Sequence, residues 1–591
     1  MFFRQPLGCL LLLGALFFAG SCSKAPTTLV DRIAILPIEN LTSEPALNWV
    51  SSAAQNALQR ELTGAGNLVP LAVPSTREAR LVKAGRALEA YLSGDASLLR
   101  IHAVIEDLQH LKASADIDIS GPRQKGVLPL LEQLAKAVDA SARPFSTGND
   151  AAFELYAKGS FEEAIAADPG FGAAYLNWLV QLRGKNDPEA GTQVLAKAKA
   201  QGTRLNDLDR AQIEVASSWL NPSDKNARRA ALMNLAAIVK YDVQLMRDLA
   251  ESAQTARNFK ASAEWLQKAL ALEPGNTEIW NSLAYAHALG GDVSAAEKAI
   301  EQYRKLAPND VNPFDSMGEI YFLCGKFAEA ERSFTAAFEK APQYLGGAEM
   351  YKAALSHLMT GDEKGADALF AKYLDYKKSV NDPEPEIRLA YWEFLTGRRT
   401  AAIGRISKLT SPRARGQHSL MLLLNGDRAG ARKQAEAAMM PPNPDRQAGP
   451  VALFLSGPAG SLQQWQEAAT KFFGPQLPQI VKNQFIAYAL AAQNNYADIA
   501  SLLGPQVMEA NPLAESLHKE MVAASLVAAG KVADAQPLVA TFPIPDAASE
   551  NVLTSLVFPR QFVTRVVIFE KQGKAAEAKA MMDLAAKFAP R

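Results

Sequence analysis

The sequence predicts a mainly α-helical chain, an α-solenoid of helical hairpins preceded by a small α/β domain. Three observations carry that prediction. Pro274, Pro308 and Pro342 recur every 34 residues, each just past an Ala-rich helical pattern. Residues 111–120 alternate apolar and polar, the period of a half-buried strand. The chain has 591 residues, too many for one hydrophobic core, so it must divide or grow as an array. With 48% apolar and 21% charged residues it is composed to fold throughout.

The first residues read as a secretory signal. Arg4 supplies the positive start, Leu7 to Ala19 the apolar stretch, and Ala19-Gly20-Ser21 the small residues before Cys22. The apolar stretch falls short of the ~20 residues a membrane span needs. The junction resembles the bacterial lipoprotein box, although Ala19 stands where Leu is usual. That resemblance implies a signal peptide over 1–21, a diacylglycerol on Cys22 and a tether over 22–30. It also implies a chain exported and lipid-anchored to the bacterial cell envelope, with Ser23 agreeing with the outer membrane. An ordinary signal peptide cleaved nearby, with Cys22 incidental, is the alternative.

Next comes the α/β domain. Ile33-Ala34-Ile35-Leu36 is a short apolar run with turn formers at its ends, hence a buried strand. Leu47, Val50, Ala54, Leu58 and Leu62 then follow at helical spacing over 45–62. A second strand is expected in "NLVPLAVPS" and a helix from Ser75 or Thr76. Leu111, Ala113, Ala115, Ile117 and Ile119 should form the buried face of a strand paired with 97–107, and a helix around 127–138 closes the unit. The run from Ile33 to Pro37, then Glu39-Asn40, then Ala46 to Leu62 resembles the TolB amino-terminal-like domain, over about 31–142. The resemblance implies a non-catalytic domain often joined to tetratricopeptide repeats.

From residue 150 to 591 the pattern is helical. In the windows 243–276, 277–310 and 311–344 the same positions hold Met246, Trp280 and Phe314, then Ala250, Ala284 and Gly318, then Ser262, Ala296 and Ala330. Small residues let two antiparallel helices approach, and proline stops the second helix. The match resembles the tetratricopeptide repeat, and hairpins of that kind must stack to bury both faces. The turn-plus-small pattern persists at Gly361, Gly397, Gly426, Gly530 and Gly573, with an irregular unit over 445–475.

The chemistry-bearing residues are sparse. Lys plus Arg equals Asp plus Glu at 62 each, so no surplus charge points to nucleic acid. The six histidines never cluster, Cys9, Cys22 and Cys324 form no paired motif, and no phosphate loop or nucleophile elbow occurs. The reading is a non-enzyme, with no cofactor, no metal site and no catalytic residue. His102 and His110 read as structural or surface residues and Cys324 as a packed thiol. In tetratricopeptide proteins the first helix of each unit lines a groove, which places Arg247, Glu251, Asn281, Tyr285, Asp315, Glu319 and Phe322 there as candidates to hold a protein or peptide partner. The resulting expectation is a lipid-anchored envelope scaffold touching the membrane through lipid alone. The alternatives are an accessory component of an envelope assembly or secretion complex, and a regulatory subunit related to cyclase- or kinase-associated repeat proteins.

Overall fold

The computed structural model describes residues 30–457, 460–510, 513, 516–545 and 551–591. Cys22, the signal sequence and nearly all of the tether lie outside them. Among the described residues no helix is long and apolar enough to cross a membrane. The chain forms two compact units, one of residues up to Gln181 with 194–209 and 239–241, the other of the remainder.

The first unit is built on a sheet of six strands: β1 (Asp31–Ile35), β2 (Glu39–Asn40), β3 (Leu68–Ala72), β4 (Arg86–Gly94), β5 (Leu98–Asp107) and β6 (Lys112–Pro122). The order is β3-β1-β4-β5-β6, with β2 beside β4. The crossovers that β1 makes with β3 and β4 are parallel, whereas β4, β5 and β6 run antiparallel. The helices α1 (Val50–Leu62), α2 (Thr76–Leu81) and α3 (Leu128–Val138) belong to this sheet. Leu88, Leu92, Ile101 and Ile105 are buried from the strands, and Ala54, Leu58, Leu131 and Leu134 from α1 and α3. The helix expected over 45–62 is broken near its start: Pro45–Leu47 is a 3-10 turn and the α-helix begins at Val50.

The strand expected at 111–119 forms, but its inner face is shorter than its alternation suggests. Ala115, Ile117 and Ile119 pair with Ile105, Ala103 and Ile101 and share their face. A bulge between Ile105 and Glu106 then sets Ala113 opposite Glu106, reversing its face, because one extra residue inverts a period of two. Ala113 is exposed, and Leu111 sits in the turn at φ 52° and 64% exposed. The same unit contains α4 (Asp150–Ala157) and α5 (Phe161–Ala167), where Phe145, Phe153, Tyr156 and Phe171 form an aromatic cluster with centroids 5.0 to 6.3 Å apart. Further on come α6 (Gly172–Lys185) and α7 (Pro188–Ala200).

In the second unit the helices pair as hairpins. After α8 (Asp207–Ser217) and α9 (Lys225–Ile238) come α10 (Val243–Thr255) with α11 (Phe259–Leu272), α12 (Thr277–Leu289) with α13 (Val293–Leu306), and α14 (Asn312–Leu323) with α15 (Phe327–Lys340). The array continues with α16 (Ala348–Leu358) and α17 (Glu363–Ser379), α18 (Pro385–Leu395) and α19 (Arg399–Ile406), α20 (Pro412–Leu424) and α21 (Arg428–Ala438). The irregular stretch holds α22 (Ala448–Leu455), which packs on α20 and α21, and α23 (Leu462–Phe473), which packs on the next helix. Last come α24 (Gln479–Ala492), α25 (Ile499–Glu509), α26 (Ser516–Ala528), α27 (Val532–Ala535), α28 (Thr554–Val557), α29 (Arg560–Lys571) and α30 (Ala575–Lys587).

The local cause of each hairpin is visible in the sequence. Gly291, Gly361 and Gly426 take the left-handed conformation that closes a first helix, and the Asp that follows each accepts a backbone N–H from the start of the second. Ser262, Ala296 and Ala330 are buried where the paired helices touch, and a Cβ on Gly318 would come within 2.6 Å of the Phe334 ring. The fold is therefore mainly α, an array of helical hairpins after a small sheet domain.

Three first helices depart from the one-sided pattern. Residues 349–355 of α16, 390–395 of α18 and 416–421 of α20 are buried around the whole circumference. The stretches in α16 and α18 are mostly apolar, as in helices enclosed on all sides, whereas that in α20 buries Gln417, His418 and Ser419. The end of the chain helps to enclose α18: α28 packs on α18, α24 and α26, and Phe322, Trp392, Phe558 and Phe588 belong to one continuous core.

Candidate functional site

The predicted groove residues sit on α10, α12 and α14, and the structure separates them into an open and a closed part. Arg247 and Glu251 line an open cavity of about 320 Å³ together with Gln244, Gln254, Ser282 and Tyr285. Arg247 reaches the exposed Glu278 at 3.2 Å, a pair of the kind worth about 0 to 1 kcal/mol. The side-chain oxygen of Asn281 is buried without a hydrogen-bond partner. Leu513 reaches the same cavity from far along the chain.

Around Asp315 the groove is closed by an ion network. The Lys352 ammonium of α16 donates to Asp315 at 2.9 and 3.0 Å and to Glu319 at 2.6 Å. The Tyr285 hydroxyl donates to the other Glu319 oxygen at 2.6 Å. Burial works against the ammonium, yet Glu319 and Asp315 outweigh it and hold Lys352 above the usual lysine value. Burial raises Asp315, with Lys352 pulling it back, and burial together with Glu319 pushes the Tyr285 phenol well up. Glu349 has no solvent exposure and neither carboxylate oxygen has a hydrogen-bond partner; burial raises it to about 7. Lys352 and Glu349 escape a sequence reading because nothing local marks a Lys or Glu on a first helix as enclosed.

Two predicted groove residues are thus not available surface. Asp315 is 4% exposed and saturated by Lys352, and Phe322 is 0% exposed, packed edge-on to Phe327 at 5.2 Å. For Asp315 the physical reason is Lys352 on α16, and for Phe322 it is the returning chain. The Phe542 N–H donates to the Leu323 carbonyl at 2.9 Å and its ring meets Phe327 at 5.2 Å. Arg565, 1% exposed, stacks over Phe542 at 4.5 Å, donates to the Thr541 carbonyl at 2.8 Å and is held by Glu520 at 2.8 and 3.0 Å. The Lys519 ammonium donates to the Thr541 hydroxyl at 2.7 Å, and burial lowers it to about 8.

A second cavity, of about 750 Å³, lies farther along the inner side, between α20, α22, α24 and α26. Gln417, Gln484, Phe485, Tyr488 and His518 contribute to its wall. Sequence reasoning missed it because the repeat signature is weakest over these helices. In the sheet unit, His102 Nδ1 lies 3.0 Å from Asp118 and 3.5 Å from Asp116, partners that the strand pairing supplies and the linear spacing hid. All three are solvent-accessible, so this is an ion cluster on the open face of the sheet. Cys324 is half-buried, and burial raises its thiol, consistent with packing rather than reactivity.

Residues 253–316 match the tetratricopeptide repeat family. The general transcriptional corepressor trfA of Dictyostelium discoideum is 25% identical over 101 residues, 17% of this chain, and the chain spans about 7% of that relative's length. Among solved structures, MamA protein is 15% identical, covering 30% of this chain and 96% of its own, with a TM-score of 0.26. A tetratricopeptide repeat protein from Parabacteroides merdae is 10% identical over 48% of this chain and 98% of its own, with a TM-score of 0.29. A thermophilic repeat protein from Thermus thermophilus is 17% identical over 32% and 99%, with a TM-score of 0.23. The chain contains tetratricopeptide repeats, a fold suited to protein–protein interaction.

Proposed function

We propose that the protein is a non-catalytic scaffold of the bacterial cell envelope, held by lipid on Cys22, that binds a protein partner through its first clear repeats. The observation that carries this reading is the open inner surface of α10 and α12. There Arg247, Glu251 and Gln254 stand around an unfilled cavity, while the corresponding surface of α14 and α16 is covered. With Glu251 and Glu278 beside one arginine, the surface is mildly acidic and suits a neutral or basic segment. Two or more acyl chains at ~0.8 kcal/mol per buried methylene are enough to retain the chain at a membrane without help from the protein surface.

The test is crosslinked co-purification from native membranes with the wild-type chain and an Arg247→Glu, Glu251→Lys double variant. Loss of a partner from the variant, at unchanged abundance, supports the reading; identical recovery refutes it for this surface. Cys22→Ser should release or misprocess the chain, and a variant still fractionating with membranes after a high-salt wash places the tether elsewhere. A second reading, an accessory part of a larger envelope complex, is favoured by the exposed His102, Asp116 and Asp118 on the open face of the sheet. Deleting 31–142 while keeping the tether separates the two, since the simple scaffold keeps its partner.

A further inference from the structure

The 750 Å³ cavity of the second unit is larger than the one beside α10 and α12 and about as open. α28 packs on α18, α24 and α26 beside it, and Leu553, just before α28, contributes to its wall. The cavity is a half-open pocket of the size that small-molecule sites have. Its lining also has a consistent chemistry. Among the described residues no carboxylate lines it, and its arginine, Arg413, is engaged by Glu384 at 2.7 Å. The polar groups are mostly uncharged: Gln417, Gln447 and Gln484 with the Tyr488 hydroxyl.

Gln417 makes the pocket more than an empty space. It is 5% exposed and its side-chain oxygen is buried with no hydrogen-bond partner. An amide oxygen left in that state costs about 1 to 3 kcal/mol, a cost removed when the side chain turns it toward a ligand hydroxyl. Planar amides present a donor and an acceptor side by side, which matches adjacent hydroxyls. Phe485 and the Tyr488 ring, with Leu420 and Val451 beside them, offer apolar faces for the carbon side of a saturated ring.

We infer that this pocket binds a neutral, polyhydroxylated ligand, a short glycan, gripped by Gln417 and Gln484 and stacked on Phe485 or Tyr488. Among the described lining residues none would balance a cationic ligand, and the engaged Arg413 disfavours strongly anionic ones.

The experiment titrates the full chain in detergent with maltotriose, cellotriose and triacetylchitotriose by calorimetry, alongside a neutral apolar hexapeptide. Saturable binding of at least one trisaccharide below about 1 mM is expected. Gln484→Ala, at a half-exposed position with no bond to lose, and Gln417→Ala should each weaken it about tenfold or more, with thermal unfolding of the Gln484 variant unchanged. Three results overturn the inference: no trisaccharide binds in that range, the Gln484 variant binds as the wild type does, or the hexapeptide binds while the sugars do not.

Discussion

Replacing Lys352 by Met is the most direct probe of the closed part of the groove. The ammonium side chain is 11% exposed and contacts three carboxylate oxygens between 2.6 and 3.0 Å; the Asp315 side chain is 6% exposed and that of Glu319 30%. Removing the cation leaves Asp315 enclosed with a second carboxylate nearby, and uncompensated buried charges of this kind cost about 3 to 5 kcal/mol. Repeat arrays do not unfold as one cooperative unit, so a single denaturation midpoint is the wrong readout. Native-state hydrogen exchange of α14 and α16 reports the opening locally, and the loss corresponds to roughly a hundredfold to several-thousandfold faster exchange. A Lys352→Met, Asp315→Leu double variant should recover most of that protection, since apolar replacement of a buried pair is often neutral. Unchanged exchange in the single variant, or a double variant no better than the single, would refute the claim that the network is enclosed.

Gly318→Ala tests the hairpin contact. Its Cβ would lie 2.6 Å from the Phe334 ring, so overpacking of about 1 to 3 kcal/mol should speed exchange in α14 and α15, and wild-type protection there would count against the packing. In the sheet unit, Glu61 is 1% exposed and burial, with Glu132 nearby, raises it to about 8. The folded chain keeps a proton there that the unfolded chain releases above about pH 4.5, so stability falls as pH rises from about 4.5 to about 8. Glu61→Gln should flatten that slope, with a gain at pH 9 of at most about 5 kcal/mol, read from thermal unfolding at pH 5 and pH 9.

The hairpins could be read from the sequence because each is a local event. The prolines at 274, 308 and 342, the Gly-Asp turns and the small residues at 262, 296 and 330 act within one repeat, so a linear pattern records them. The inner surface could not be read in the same way. Asp315 and Phe322 occupy the correct helical face for a groove, but periodicity reveals neither the Lys352 of α16 that covers the first nor the return of residues beyond 540 beside the second. A partial signal existed in "MYKAAL" of α16 and "AYWEFL" of α18, whose near-continuous apolar runs are richer than one buried face requires. The exposed Ala113 has a similar lesson in the sheet: alternation gives a face only while the pairing keeps step, and the bulge at Glu106 breaks it.

The returning chain also changes what the repeats can do over evolutionary time. An open array transmits stability between neighbours alone, so it tolerates gain or loss of a unit. Here Phe542 is bonded to Leu323, and the Arg591 N–H donates to the Gly397 carbonyl at 2.7 Å, where a Cβ on Gly397 would lie 2.2 Å from the Ala589 carbonyl oxygen. These ties join positions about 200 residues apart. Inserting or deleting one hairpin between them would rotate the two ends out of register and break both, so the count of repeats in this stretch is a fixed dimension of the molecule, as strand number is in a closed barrel.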